Sequence, residues 1–223
     1  MFNAIVIGGT GATGRRLIEQ LLVHEKCRTV TTIGRRSPVK GEGHHKLKDV
    51  LVDSMFDLSS TESSWLNNDV FFNCIGTTRS KAGGAKEFVE IELGISREAA
   101  KMASIANIHH ASLISASGAN HDSWAVDWLH PLLYAKTMGQ KEQTILTEFP
   151  FNSISIFKPG MLIRMMNEPE WYDGITEKLG IGLRVDILAA AMIHDAERKS
   201  SEDSFDSPSI FTGNSVIKKT LGR

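Results

Sequence analysis

The chain has 223 residues, of which 41% are hydrophobic and 23% charged, an ordinary globular composition that fits one α/β unit better than two domains. Its 25 Lys and Arg against 26 Asp and Glu leave a net charge of -1, so no basic field recruits nucleic acid and no charge excess keeps the chain disordered. The two cysteines, Cys27 and Cys74, give neither a disulfide framework nor metal-ligand spacing, so no metal is expected and both are read as reduced, which suits a cytoplasmic protein.

Phe2 to Ile7 reads as a buried strand, and its apolar run leads into a glycine loop rather than a cleavage site, so no secretory leader is expected. Leu17, Ile18, Leu21 and Leu22 then recur at helical spacing, predicting a helix over 12–23. Further strands are predicted at 29–33, 46–52, 70–73, 111–115 and 153–157, and helices over 86–106, 132–148 and 185–197. Within the last of these, 187–193 falls well short of the ~20 apolar residues that span a bilayer, so no membrane partner is expected. A weak strand over 209–212 and a short helix close the chain. Alternating strands and helices predict an α/β fold with a parallel sheet, a single doubly wound domain of the Rossmann kind over 1–223. The long irregular stretches 118–131 and 164–183 follow strands, which makes them walls of a substrate pocket beyond the strand ends. Residues 161–184 and 200–223 are expected to cap the substrate side.

The strongest motif is Gly8-Gly9-Thr10-Gly11-Ala12-Thr13-Gly14, between the first strand and the first helix. It satisfies G-x-G-x-x-G from Gly9 and G-x-x-G-x-x-G from Gly8. Small residues let the chain turn tightly, approach a pyrophosphate with its backbone and pack the helix close to the strand. Gly8, Thr10, Gly11, Ala12, Thr13 and Gly14 are therefore candidates to hold a dinucleotide, with helix N-terminal N–H groups on its phosphates. An acidic residue after the second strand would bind the ribose diol of NAD, but here stand Gly34-Arg35-Arg36. Two guanidinium groups suit a 2′-phosphate, so the expected cofactor is NADP (NADPH). Asp53, after the third strand, is a candidate for the adenine edge, or an exposed turn residue.

Three more segments complete the set: Ile75-Gly76-Thr77-Thr78-Arg79-Ser80-Lys81-Ala82-Gly83, Leu113-Ile114-Ser115-Ala116-Ser117-Gly118-Ala119 and Phe157-Lys158-Pro159-Gly160. With the glycine loop they resemble atypical short-chain dehydrogenase/reductases, most closely the Tat-interacting-protein oxidoreductase family, from Phe2 to about Leu221. The resemblance implies that Gly76 and Thr77 border the nicotinamide half of the cofactor. It also implies that the stretch from Ser115 to Ser117 holds the substrate-polarising hydroxyl and that Tyr134 is the catalytic tyrosine. Lys158, where the family has arginine, and Pro159 join the cofactor-binding set, Lys158 as a cation near the pocket.

The chain departs from that pattern at one decisive position. Short-chain dehydrogenases place a lysine four residues after the tyrosine, on the same helix face, and the residue here is Met138. Lys136 points to the opposite side, and Lys141 lies roughly 10 Å further along the axis. Tyr172 has Thr176 four residues later and offers no alternative pair, and the family's double serine reads Ser115-Ala116-Ser117. Without a neighbouring cation a phenol of pKa about 10 stays protonated at neutral pH. It then serves as a proton donor in carbonyl reduction and poorly as a base in alcohol oxidation, and the loss costs on the order of 10² to 10⁴ in rate.

Two functions follow. One is an NADP-dependent reductase of a small carbonyl compound, with Tyr134 as acid and Ser115 or Ser117 polarising the carbonyl. The other is a non-enzymatic or regulatory NADPH-binding protein that reports occupancy to a protein partner, as monomer or homodimer. Met138 favours the second, the serines and Tyr134 the first. His44-His45 and His109-His110 are adjacent pairs that point to opposite faces and cannot grip one metal. His121, Trp124, Trp128 and His130 form either an aromatic pocket wall or a small cluster under a loop.

Overall fold

The computed structural model describes residues 1–39, 43–126, 129–164, 182–200 and 208–222. Seven strands form one sheet: β1 (Phe2–Ile7), β2 (Cys27–Gly34), β3 (Leu47–Leu51), β4 (Val70–Asn73), β5 (His110–Ile114), β6 (Ser153–Lys158) and β9 (Ser209–Thr212). A separate two-stranded pair is made by β7 (Leu162–Ile163) and β8 (Leu183–Arg184). Every pairing in the large sheet is parallel, in the order β3-β2-β1-β4-β5-β6-β9. The order reverses between β1 and β4, and ligands of open parallel sheets bind in the crevice this leaves at the carboxyl ends of the strands. The fold is the expected α/β Rossmann-like arrangement.

A strand covered on both faces reads as an apolar run, and β1 does from Ala4 to Ile7. Ala4 and Val6 pack on one side with Leu17 and Leu21 of α1 (Ala12–Val23) and Leu188 and Met192 of α7 (Val185–Lys199). Ile5 and Ile7 pack on the other with Phe71, Leu113, Ile156 and the α5 (Ile95–Ile105) residues Ala99 and Ala103. The long helix α6 (His130–Thr147) lies on that second side and contributes Ile145. None of the described helices is long and apolar enough to cross a membrane.

The structure departs from the predicted elements at 86–106 and in several short elements. Residues 86–106 are not one helix: α4 (Ala85–Val89) passes through a π-turn, Glu90–Gly94, before α5 begins. The widened turn carries Glu92, whose carboxylate finds its partners inside the protein. Two four-residue helices, α2 (Glu62–Trp65) and α3 (Arg79–Ala82), are too short to show periodicity. Residues 209–212 form the predicted strand, which extends the sheet beside β6, and α8 (Asn214–Lys219) follows as the predicted short helix.

Candidate cofactor and active site

At the carboxyl end of β1 the backbone turns through Gly8, whose φ of +74° is in the left-handed region where a side chain costs energy. A Cβ there would lie 2.4 Å from the carbonyl C and O of Cys74. Gly11 N–H donates to Gly8 O at 3.0 Å, and a Cβ on Gly14 would lie 2.3 Å from the same oxygen. The loop is therefore folded onto β4 as tightly as backbone allows. Helix α1 begins at Ala12 with no side-chain cap and no acidic residue in its first turn. Its first N–H groups are left for a ligand, and an anion is the ligand such an end prefers. Thr10 is half-buried, Gly11 exposed and Thr13 buried.

Arg35 and Arg36 are exposed immediately after β2, and Asp53 is exposed just past β3. The Val52 N–H donates to Gly34 O at 3.1 Å, which brings the ends of these two strands together at the same edge as the glycine loop. The dinucleotide cradle expected from sequence is thus compatible with the backbone around it, down to the glycines that no other residue would fit.

Beyond β4 lies the loop Ile75-Gly76-Thr77. Asn73 Oδ1 accepts from the Ile75 N–H at 3.1 Å, while its Nδ2 is buried without a hydrogen-bond partner. Lys141 Nζ, from α6, donates to Ile75 O at 2.8 Å and to Glu92 Oε2 at 3.2 Å. Glu92 Oε1 accepts from the Thr77 N–H at 2.6 Å. Gly76 is exposed between these two anchors.

Tyr134 stands near the start of α6, partly buried, against Ala116, Met138, Leu133 and Phe88. Its phenol is pushed above the ordinary tyrosine value, chiefly by burial and further by the Glu92 carboxylate, with Arg164 working in the opposite direction. His130 meets Phe88 edge-on at 5.3 Å and has its ring centroid 6.0 Å from that of Tyr134. Met138 is buried in this cluster, and among the described residues no lysine belongs to it.

The two serines differ in what they bind. Ser115 is buried and its hydroxyl donates to Glu142 Oε1, while Lys158 Nζ donates to Glu142 Oε2 at 2.8 Å and to Ala119 O at 3.3 Å. Ser115 and Lys158 thus satisfy one another through Glu142, and the Lys158 charge is paired. Ser117 is exposed, with its N–H donating to the carbonyl of buried Pro159 at 2.9 Å. Ala116, between the serines, packs on the same apolar cluster as the tyrosine. Of the aromatic wall, Trp124 is exposed and His121 pairs with Asp122 on the surface at 3.3 Å. Trp128, Tyr172 and Thr176 lie outside the described residues. The loop behind Tyr134 is held close because Gly139 admits it: a Cβ there would sit 2.1 Å from the His121 backbone nitrogen.

Glu92, Glu142 and Arg164 are the site residues that sequence reading missed. The available signal was helical phase, since Lys141 and Glu142 fall two turns beyond Tyr134 on its own face.

No family model matches the chain. The FMP52 protein of Candida albicans is 31% identical over 162 residues, 72% of this chain and 67% of the relative. Rat HTATIP2 is 31% identical over 173 residues, 76% of this chain and 67% of the relative. Among solved structures, the oxidoreductase ylbE from Lactococcus lactis superposes with a TM-score of 0.67 at 14% identity, covering 99% of this chain and 97% of that one. The FMP52 proteins of Candida albicans, Scheffersomyces stipitis and Debaryomyces hansenii are named mitochondrial, which overturns the cytoplasmic expectation. Reduced cysteines argue against an oxidising compartment but do not choose among the others. With a Rossmann-like α/β fold, the chain belongs to the family of HTATIP2, the Tat-interacting protein, and the FMP52 proteins.

Proposed function

We propose that the protein is an NADP(H)-dependent oxidoreductase that works as a slow reductase of a small carbonyl compound. The observation that carries this reading is the glycine cradle, with its uncapped helix end, at the point where the strand order reverses. A structural neighbour, MoeE5, is described in complex with UDP-glucuronic acid and NAD. Backbone N–H groups from Ala12 to Gly14 would hold the pyrophosphate, Arg35 and Arg36 the 2′-phosphate, and Asp53 the adenine edge. Gly76 and Thr77 would border the nicotinamide, and Lys158 and Pro159 the wall beside it.

When bound, the reduced nicotinamide supplies a hydride to the carbonyl carbon. Tyr134 keeps its proton at neutral pH and donates it from the phenol to the carbonyl oxygen, recovering one from water afterwards. Phe88, Ala116 and Met138 keep water from its flank. Ser117 is the hydroxyl left to polarise the carbonyl, because Ser115 is committed to Glu142. Because burial and the Glu92 carboxylate outweigh Arg164 and keep the phenol protonated, oxidation of an alcohol is disfavoured.

NADPH turnover against a panel of aldehydes, ketones and quinones, followed by loss of reduced-nicotinamide absorbance, tests this. Activity that disappears in Tyr134→Phe supports the reading. Activity that persists unchanged in that variant removes the tyrosine from the chemistry. One observation favours a second reading, a regulatory NADPH-binding protein with a protein partner: the apolar cluster that Tyr134 joins includes Ala116 and Met138, where a hydroxyl and an amine would serve catalysis. NADPH binding with no turnover on any of the panel would select it.

A further inference from the structure

We propose that the buried Lys141–Glu92 pair is a positioning clamp that sets the Ile75-Gly76-Thr77 loop for the nicotinamide half of the cofactor. The inference rests on the cofactor reading above. It concerns residues that neither the glycine motif nor the tyrosine helix accounts for.

The two side chains are 1% and 2% exposed, and their charged groups are 3.2 Å apart. A buried ion pair loses so much hydration that apolar residues of the same volume often serve stability as well or better. What such residues would not do is hold backbone. Here each partner takes one end of the same three-residue segment: the lysine ammonium binds Ile75 O at 2.8 Å and the glutamate binds the Thr77 N–H at 2.6 Å. The remaining carboxylate oxygen closes the circuit on the ammonium. Three separate parts of the chain, the loop after β4, the π-turn and the middle of α6, are locked to one another at this point.

The π-turn is the second observation. A single widened turn is rare and concentrates at functional sites, and Glu90–Gly94 is the one that carries Glu92 inward. Between the two anchors Gly76 leaves its backbone exposed, with the nearest atom to a Cβ there being Glu92 Oε1 at 3.9 Å. The clamp therefore grips the loop from behind and leaves its front free. Lys141 does not replace the missing lysine beside the phenol. It acts one step removed, through the loop, as a positioning residue.

The test uses the full chain and two probes, NADPH and 2′-phospho-ADP (adenosine 2′-phosphate 5′-diphosphate), which lacks the nicotinamide and its ribose. Lys141→Met alone leaves a buried carboxylate unpaired and risks unfolding, so Lys141→Met with Glu92→Leu is the informative variant because no charge is stranded. Titration calorimetry should show NADPH affinity falling by about tenfold, a loss of the size one placed hydrogen bond supplies, with 2′-phospho-ADP affinity unchanged. Equal weakening of both probes in a folded variant would make the pair a general structural element and overturn the clamp. So would unchanged binding of both. If the unmodified protein binds neither probe, the cofactor reading itself fails, and the clamp with it.

Discussion

Two glycines of the same loop should fail in different ways. Gly8→Ala puts a side chain at φ +74° with its Cβ 2.4 Å from the Cys74 backbone. The conformation costs about 1–2 kcal/mol and the clash with unyielding backbone about 1–3 kcal/mol more. At about 2–4 °C per kcal/mol for a domain of this size, Tm should fall by about 4–20 °C. Gly11→Val is different, because Gly11 is exposed with φ -72° and ψ 169°, an extended conformation open to any residue. The nearest atom to its Cβ is Gly8 O at 3.2 Å, so its Tm should change by no more than about 4 °C, the equivalent of about 1 kcal/mol. Yet a valine over the helix end blocks the N–H groups from phosphate, and each such charged hydrogen bond is worth about 1.5–3 kcal/mol, or about 10- to 150-fold in affinity. Thermal melts and NADPH calorimetry on both variants separate the two effects. Undiminished NADPH binding by Gly11→Val, in a protein that melts normally, would refute the assignment of the pyrophosphate to this loop.

Replacing Arg35 and Arg36 together by alanine should weaken NADPH by at least about tenfold, by the same charged-hydrogen-bond magnitude, and leave NADH nearly unaffected in parallel titrations. Met138→Lys should lower the Tyr134 phenol's pKa and raise turnover, proportionally more for alcohol oxidation, at a cost in Tm because position 138 is buried. Kinetics in both directions check this, and adding Tyr134→Phe should cancel the gain. His110 is buried beside Asp195 and Ser153, and burial pushes its imidazole down from 6.5 to about 4. The unfolded chain then binds more protons than the folded one between those values, so stability falls as pH is lowered through that window, by about 3 kcal/mol in full. Melts of His110→Gln over the same range should show a shallower slope than the unmodified protein.

Local signals carried the fold a long way. An apolar strand, a glycine loop and an amphipathic helix in succession dictate the first βαβ unit, and β4 and β9 occur at 70–73 and 209–212, where alternation and turns place them. The π-turn is invisible because helical periodicity runs straight through 86–106, and the force that widens the ladder comes from Thr77 and Lys141, distant in sequence. Lys141 was judged by its distance from Tyr134 along the helix, whereas the partner that matters is the loop after β4. Ser115 looked like a catalytic hydroxyl because its type and segment were right. Only the tertiary fold reveals Glu142 beneath it, and Lys158 on that carboxylate's other oxygen. Pairings of this kind follow no periodicity, so residue types alone name the actors without assigning their partners.

Titration of the unmodified chain with NADPH and then NADH tests the central claim most directly. The account predicts saturable binding of one NADPH per chain, at least about tenfold tighter than NADH, as the two arginines beside the 2′-phosphate require. The absence of saturable NADPH binding, or equal affinity for the two dinucleotides, would contradict it.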